Sequence, residues 1–185
     1  PVFPLRPRDK SPVSRHGFKD ATSDARKINT WWSRHPDANI GIPTGARSGL
    51  LVLDCDPRNG GPSNRSELVE VFGAIPETAE VITGSGGMHV YFQLPGGRVP
   101  NDLAPGVELK GEGRYVVAPP SINPNGGRYV WDGLTGAESL GRVEPCPPRL
   151  RDVPPRTAKT VQRPFPPGLG DGPEASRTTQ QAGAA

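Results

Sequence analysis

With 185 residues, a third of them hydrophobic, the chain has material for one core and an appendage. Its 24 Gly and 24 Pro argue against a compact helical protein and for short elements joined by turns. No apolar run approaches the ~18–20 residues needed to span a bilayer, and no secretory-signal layout opens the chain. The only cysteines, Cys55 and Cys146, exclude a disulfide framework and a cysteine-built zinc site, which fits a reducing, cytoplasmic setting. The net charge of +3 is unevenly spread: residues 1–34 carry eight Lys/Arg against three Asp, residues 35–146 eight against thirteen acids, and residues 147–185 six against three. An acidic middle beside a basic N-terminal segment suits a cation site next to an anion-holding surface. Ordinary solvated charge explains the same counts.

In chain order, Pro1–Leu5 reads as a short strand and "RPRDKSPVSRHGFKD" as a basic loop. "DATSDARKINTWWSRHPDAN" predicts a helix capped by Ser23 or Asp24, with Ile28, Trp31 and Trp32 at helical spacing. His35-Pro36 stops it, because a residue before proline avoids helical dihedrals. The tryptophan pair reads as core in preference to a base-stacking platform. "NIGIPTG" is a short strand closed by a turn, and "SGLLVLDCD" a central strand. "NRSELVEVFGAIP" is a second helix with Asn64 and Glu67 at capping-box spacing and an apolar stripe of Leu68, Val69 and Phe72. From Glu77 the period changes to two, and "ETAEVIT", "HVYFQL", "GVELKG", "RYVVAPP" and "GRYVW" read as strands between Gly-rich turns. Two early helices followed by largely antiparallel strands predict an α+β domain over residues 1–146. The remaining 147–185 has eight prolines in 39 residues and few large apolar side chains, so it is expected to be a flexible tail or linker.

The residues that bear chemistry follow from strand alternation. In "LLVLDCD", Asp54 and Asp56 share one face and Cys55 points the other way, as a small buried thiol. Two carboxylates at a strand end repel each other unless cations relieve them, and Mg²⁺ is commonly held by one or two carboxylates together with substrate phosphates. The competing reading makes one aspartate the cap of the "DPRNGG" turn and leaves the other solvated. In "GMHVYFQL", His89, Tyr91 and Gln93 form a polar face opposite Val90, Phe92 and Leu94. In "GVELKG", Glu108 and Lys110 lie opposite Val107 and Leu109. The three strands therefore offer three acids, a histidine and a lysine for one polar sheet surface. His16 and His35, in a loop and at a helix end, are read as structural. In "TGSGGMH", Ser85, Gly86 and Gly87 can present backbone N–H groups to a phosphate, although a hairpin turn accounts for the same letters.

Four segments, "GFKDATSDARKINTWWSRHPDANIGIPTG", "SGLLVLDCDPRNGG", "TGSGGMHVYF" and "GVELKGEGRYVVAPPSINPNGGRYVW", together resemble the bifunctional DNA primase/polymerase (Prim-Pol) domain of the archaeo-eukaryotic primase superfamily. The resemblance covers residues 1 to about 135 and lies in the combination rather than in any one segment. It implies an RRM-like, largely antiparallel catalytic sheet with a smaller N-terminal α/β subdomain. It also implies a template-directed nucleotidyl transferase that makes and extends primers with Mg²⁺ or Mn²⁺.

By that resemblance Asp54 and Asp56 match the acidic D-x-D/E motif and Glu108 the third acidic motif, all three as metal ligands. His89 matches the histidine near the incoming triphosphate, and Lys110 a basic residue that helps hold phosphate. Ser85–Gly87 would join them through backbone groups, and Lys10, Arg15 and Lys19 are candidate anion contacts. Glu108 stands where Asp is frequent, and Gly87 where many members carry Ser, which leaves Ser85 as the nearest hydroxyl. The helix that usually precedes "PVFPL" is not in the sequence, which opens without Met and is read as truncated at its N-terminus. Implied partners are nucleoside triphosphates, a single-stranded DNA template and a replicative helicase, with no membrane. Two rival readings fit parts of the same pattern: a non-catalytic primase-like nucleic-acid-binding module, and a metal-dependent nuclease or phosphoesterase.

Overall fold

A computed structural model describes residues 1–132, 140–141 and 143–152. Strand β3 (Leu50–Cys55) is central because its side chains are apolar on both faces: Leu51, Val52 and Leu53 are all fully buried. It pairs antiparallel with β5 (Met88–Gln93) on one side and β7 (Val107–Lys110) on the other. Outward from these lie β6 (Asp102–Ala104), β4 (Glu80–Ile82) and β9 (Val130–Trp131), in the order β6-β7-β3-β5-β4-β9. A short β10 (Glu144–Pro145) pairs with β5 in parallel. The second sheet has three strands, β1 (Phe3–Leu5), β2 (Asn39–Pro43) and β8 (Tyr115–Ala118), in the order β1-β2-β8. The fold is thus α+β with mostly antiparallel sheets and few helices, as the sequence predicts.

Each face of the large sheet has its own core. On one, Leu51, Leu53, Cys55, Val90, Phe92, Val107 and Leu109 meet helix α2 (Arg65–Phe72) through Leu68. Asn64 caps α2 by accepting from the Glu67 N–H, while Glu67 reaches back to the Ser63 N–H, so the predicted box closes one residue earlier than its spacing suggests. Arg65 ties α2 to the sheet by donating to the buried carboxylate of Glu80. Val69, expected in the apolar stripe, is instead 37% exposed: Leu68 and Phe72 cover the sheet and Val69 lies on the shoulder of the helix.

The packed region runs past residue 146. Pro148 opens a one-turn helix α3 (Pro148–Arg151), where its missing N–H costs nothing. Leu150 is fully buried in the α2-side core, and Arg149 donates to the Ala74 carbonyl. The boundary expected after Cys146 therefore falls inside packed structure, and the tail expected over 147–185 lies outside the described residues from 153 onward.

The opposite face of the large sheet is covered by the three-stranded sheet. Val52, Val81 and Tyr91 pack with Phe3, Leu5, Val116, Val117 and Tyr129. The face expected to be polar along β5 is accordingly covered: His89 is 5% exposed and Tyr91 fully buried. Helix α1 (Ala25–Arg34), capped by Asp24, lies outside this layer with Trp31 half-buried against it. Trp32 donates its indole N–H to the Ala38 carbonyl. The three-stranded sheet also takes its third strand, β8, from beyond β3, β5 and β7 in the chain. A pattern of period two cannot reveal that swap of sheets, because either sheet satisfies it.

Candidate active site at the junction of the two sheets

Register assembles the site. Asp54 stands directly opposite His89 on β5 and directly opposite Glu108 on β7. Cross-strand partners in antiparallel sheets point to the same face with Cα atoms about 4.5–5.5 Å apart. The three side chains therefore form one row, His89–Asp54–Glu108, on the face that the N-terminal sheet covers. The next row inward is Tyr91–Val52–Lys110. Its apolar members belong to the core between the sheets, and its lysine reaches outward.

Lys110 Nζ donates to Glu108 Oε2 and lies 3.4 Å from Asp54 Oδ2. An ammonium thus sits between two carboxylates at the mouth of the row. His89 Nε2 lies 3.6 Å from Asp54 Oδ1, too far for a good hydrogen bond. Burial holds the imidazole below its ordinary pKa; Asp54 opposes that effect, while the Lys10 and Lys110 charges add to it. His89 is therefore a neutral ring at pH 7. Its Nδ1, like the Tyr91 hydroxyl, is buried with no hydrogen-bond partner among the described residues. The Tyr129 ring flanks it at 6.1 Å between centroids, and its hydroxyl is pushed up to about 12, first by burial and then by Asp54.

Asp56 follows the end of β3 and is held differently. Its backbone N–H donates to the Gly106 carbonyl, anchoring it to the turn before β7. Gly61 and Gly106 pack backbone against backbone there, since a Cβ on Gly61 would lie 2.3 Å from the Gly106 oxygen. The carboxylate caps the turn Pro57–Asn59: Oδ1 accepts from Arg58 N (3.1 Å) and Nε (3.0 Å), and Oδ2 from Arg58 Nη2 (2.8 Å) and Asn59 Nδ2 (2.9 Å). Those bonds to Arg58 lower the Asp56 pKa. The turn-cap reading of one aspartate thus describes Asp56 as it stands, while Asp54 is not merely solvated.

The predicted site residues divide accordingly. Asp54, His89, Glu108 and Lys110 are brought together. Asp56 is adjacent but committed to its own turn, and Lys110 stands between Asp54 and Glu108; among the described residues no group of three or more His, Cys, Asp or Glu side chains is arranged to hold a metal ion. Lys10 lies close enough for its charge to act on His89, with its carbonyl accepting from the Tyr115 hydroxyl. Arg15 and Lys19 are exposed on the loop and the 3₁₀ turn before α1, and no bond ties either to the row. The backbone cradle expected at Ser85–Gly87 is a hairpin turn. Gly86 N–H donates to the Thr83 carbonyl and Gly87 N–H to Thr83 Oγ1, so both amides are used inside it. Ser85 Oγ, 3.2 Å from Thr83 Oγ1, remains at the tip. Sequence reasoning passed over Arg58 and Tyr129. The first was legible as the basic residue next to the acids in "DCDPRNGG"; the second gave no signal, because only the folded turn at residues 121–129 brings it to His89.

Two largely antiparallel sheets flanking an imidazole–acid–acid row, with the Lys10 and Lys110 charges beside it, define an α+β domain that balances anionic and cationic groups at one sheet junction. The sequence matches the family described as bifunctional DNA primase/polymerase, N-terminal, over residues 1–149, and the chain belongs to that family. A comparison with curated proteins returns no match.

Proposed function

We propose that the chain is a template-directed nucleotidyl transferase that synthesises and extends primers on single-stranded DNA. Family membership supports a primase/polymerase activity. The observation that carries the finer reading is the register that sets Asp54 between His89 and Glu108, with the Lys10 charge acting on His89. The donors fit a divalent metal: Asp54 and Glu108 supply hard oxygen ligands and already accommodate one cation, the Lys110 ammonium, between them. Asp54 and Glu108 would hold Mg²⁺ or Mn²⁺, with Asp56 joining when its side-chain partners are displaced. Such an ion supplies charge neutralisation and lowers the pKa of the attacking hydroxyl.

The remaining work falls to the chain's own groups. Phosphoryl transfer needs positioning and charge stabilisation more than covalent chemistry. Lys110, once no longer needed between the two acids, is placed to hold a phosphate, with Lys10 on the facing side. His89, neutral and braced by Tyr129, offers a ring N–H to a triphosphate oxygen; the triphosphate in turn raises the imidazole's pKa by proximity. Template contact is to phosphates through the basic segment 1–34 and is therefore salt-sensitive.

The test incubates the protein with a circular single-stranded template, primed and unprimed, labelled nucleotides and Mg²⁺ or Mn²⁺. Lengthened products support the reading. Shortened DNA would mean a nuclease, and retention of DNA without incorporation a binding module.

A further inference from the structure

Every acid of the site is held by a side-chain cation of the protein itself. Lys110 spans Asp54 and Glu108, and Arg58 holds Asp56 with two parallel bonds from Nε and Nη2. Arg58 differs from Lys110 in two respects. It takes up both oxygens of its acid, together with Asn59, so Asp56 has no oxygen left open to another cation without exchange. Its side chain is 60% exposed, so the face of the guanidinium turned away from Asp56 meets solvent. Like Lys110, it lies close enough to Asp54 for that charge to act on it.

We propose that Arg58 is a triphosphate-binding residue kept on Asp56 as an internal counter-ion, and that it transfers from carboxylate to phosphate when a divalent cation takes its place. This rests on the nucleotidyl-transfer reading of the site. The transfer is short in structural terms. Arg58 is two residues from Asp56 within a turn that Asp56 caps, and its backbone N–H holds Oδ1 independently of the guanidinium. Only the side-chain rotamer has to change. A guanidinium pairs bidentately with phosphate as well as with carboxylate, so the incoming triphosphate replaces the bonds that Arg58 gives up. Cation and nucleotide then bind with positive coupling, because each stabilises what the other displaces. Before either arrives, the pairings of Lys110 with Asp54 and Glu108 and of Arg58 with Asp56 offset the charge of the neighbouring carboxylates.

The test titrates Mn²⁺ into the whole chain by electron paramagnetic resonance, with and without a deoxynucleoside triphosphate analogue bridged by α,β-imido nitrogen. The variants are Arg58→Ala, Arg58→Lys and Asp54→Asn. Arg58→Ala is expected to bind Mn²⁺ alone about threefold or more tighter, since a competing bidentate cation is gone. The same variant is expected to bind the analogue about tenfold more weakly, as fits the loss of a charge-assisted bidentate contact, which reduces the coupling from both sides. Should Arg58→Ala lose its native circular dichroism, Arg58→Lys is read instead, with the same directions and smaller changes. Mn²⁺ affinity that is unchanged or weaker in a folded Arg58 variant overturns the inference and makes Arg58 a brace for the turn. Asp54→Asn separates the two levels. Asp54-dependent Mn²⁺ binding that ignores Arg58 sinks only the exchange, whereas binding that ignores Asp54 sinks the metal-site reading beneath it.

Discussion

Replacing Gly87 by alanine puts one methyl group against the backbone that carries the acids. A Cβ there would lie 2.2 Å from the Cys55 carbonyl oxygen and 3.1 Å from Pro57 Cδ. Carbon and oxygen rest at roughly 3.3 Å, so the two strands must part by about 1 Å. Neither obstacle is a flexible side-chain end: the oxygen belongs to the residue between Asp54 and Asp56. Overpacking of this kind costs roughly 1–3 kcal/mol, and each kcal/mol lowers the melting temperature by about 2–4 °C in a domain of this size. The same displacement shifts Asp54 against His89, and a misplacement of about 1 Å costs on the order of 10²-fold in rate. Gly86 is the control. It has a φ of +81° and open space around it, so Gly86→Ala carries a left-handed strain of about 1–2 kcal/mol without touching β3. Thermal melts paired with primer extension per folded molecule should show both variants destabilised and only Gly87→Ala slowed. A Gly87→Ala protein that melts and extends like the wild type would refute the reasoning. So would a Gly86→Ala protein as slow as Gly87→Ala.

Two further outcomes follow from buried titratable groups. Burial keeps the His89 pKa below its ordinary 6.5, so between those values the unfolded chain binds the proton and the folded chain does not. His89 therefore contributes stability that is present above about pH 6.5 and lost as pH falls through its folded value, at up to about 1.4 kcal/mol per pH unit. Urea midpoints measured from pH 7.5 to 5 should fall less steeply in His89→Gln; equal slopes would mean that the ring is not held neutral. The acids with lowered values, Asp9, Asp20, Asp56, Glu67 and Asp152, act only below their ordinary 3.8–4.5 and leave this window clear. Burial also pushes Cys55 to about 12 and Cys146 to about 11. Neither thiol should react with an aromatic disulfide reagent at pH 8 until the protein is denatured, and rapid native labelling would show that the α2-side core opens.

Much of the strand and helix order was legible because the apolar period changes from 3.6 to 2 near Glu77, and because Asp24, Asn64 and the Gly-rich turns punctuate it. Alternation also gave the side of each strand on which Asp54, His89, Glu108 and Lys110 lie. What alternation cannot give is register. That Asp54 faces His89 and Glu108, and not their neighbours two residues away, is set by turn geometry and by packing on both faces. The polar face expected for β5 failed for a related reason. Tyr91 among polar positions was the clue that a second sheet lies over it, and Val52 on β3 was another. Asp56 shows local chemistry winning: an Asp–Pro–Arg–Asn sequence closes its own capped turn, so a neighbouring arginine reaches the carboxylate first. Pro147 and Pro148 suggested a tail, yet proline at the first position of a helix is favourable, and one buried leucine two residues on suffices to hold the turn.

The central claim is that Asp54 and Glu108, on adjacent strands, hold the same divalent cation. Mn²⁺ affinity, read by electron paramagnetic resonance on wild type, Asp54→Asn and Glu108→Gln, tests it without recourse to turnover. The account predicts saturable binding that each substitution weakens by about tenfold or more, and by less than the product of the two in the double variant, since the acids share one ion. Affinity unchanged by either substitution, or two losses that multiply as independent sites do, would contradict it.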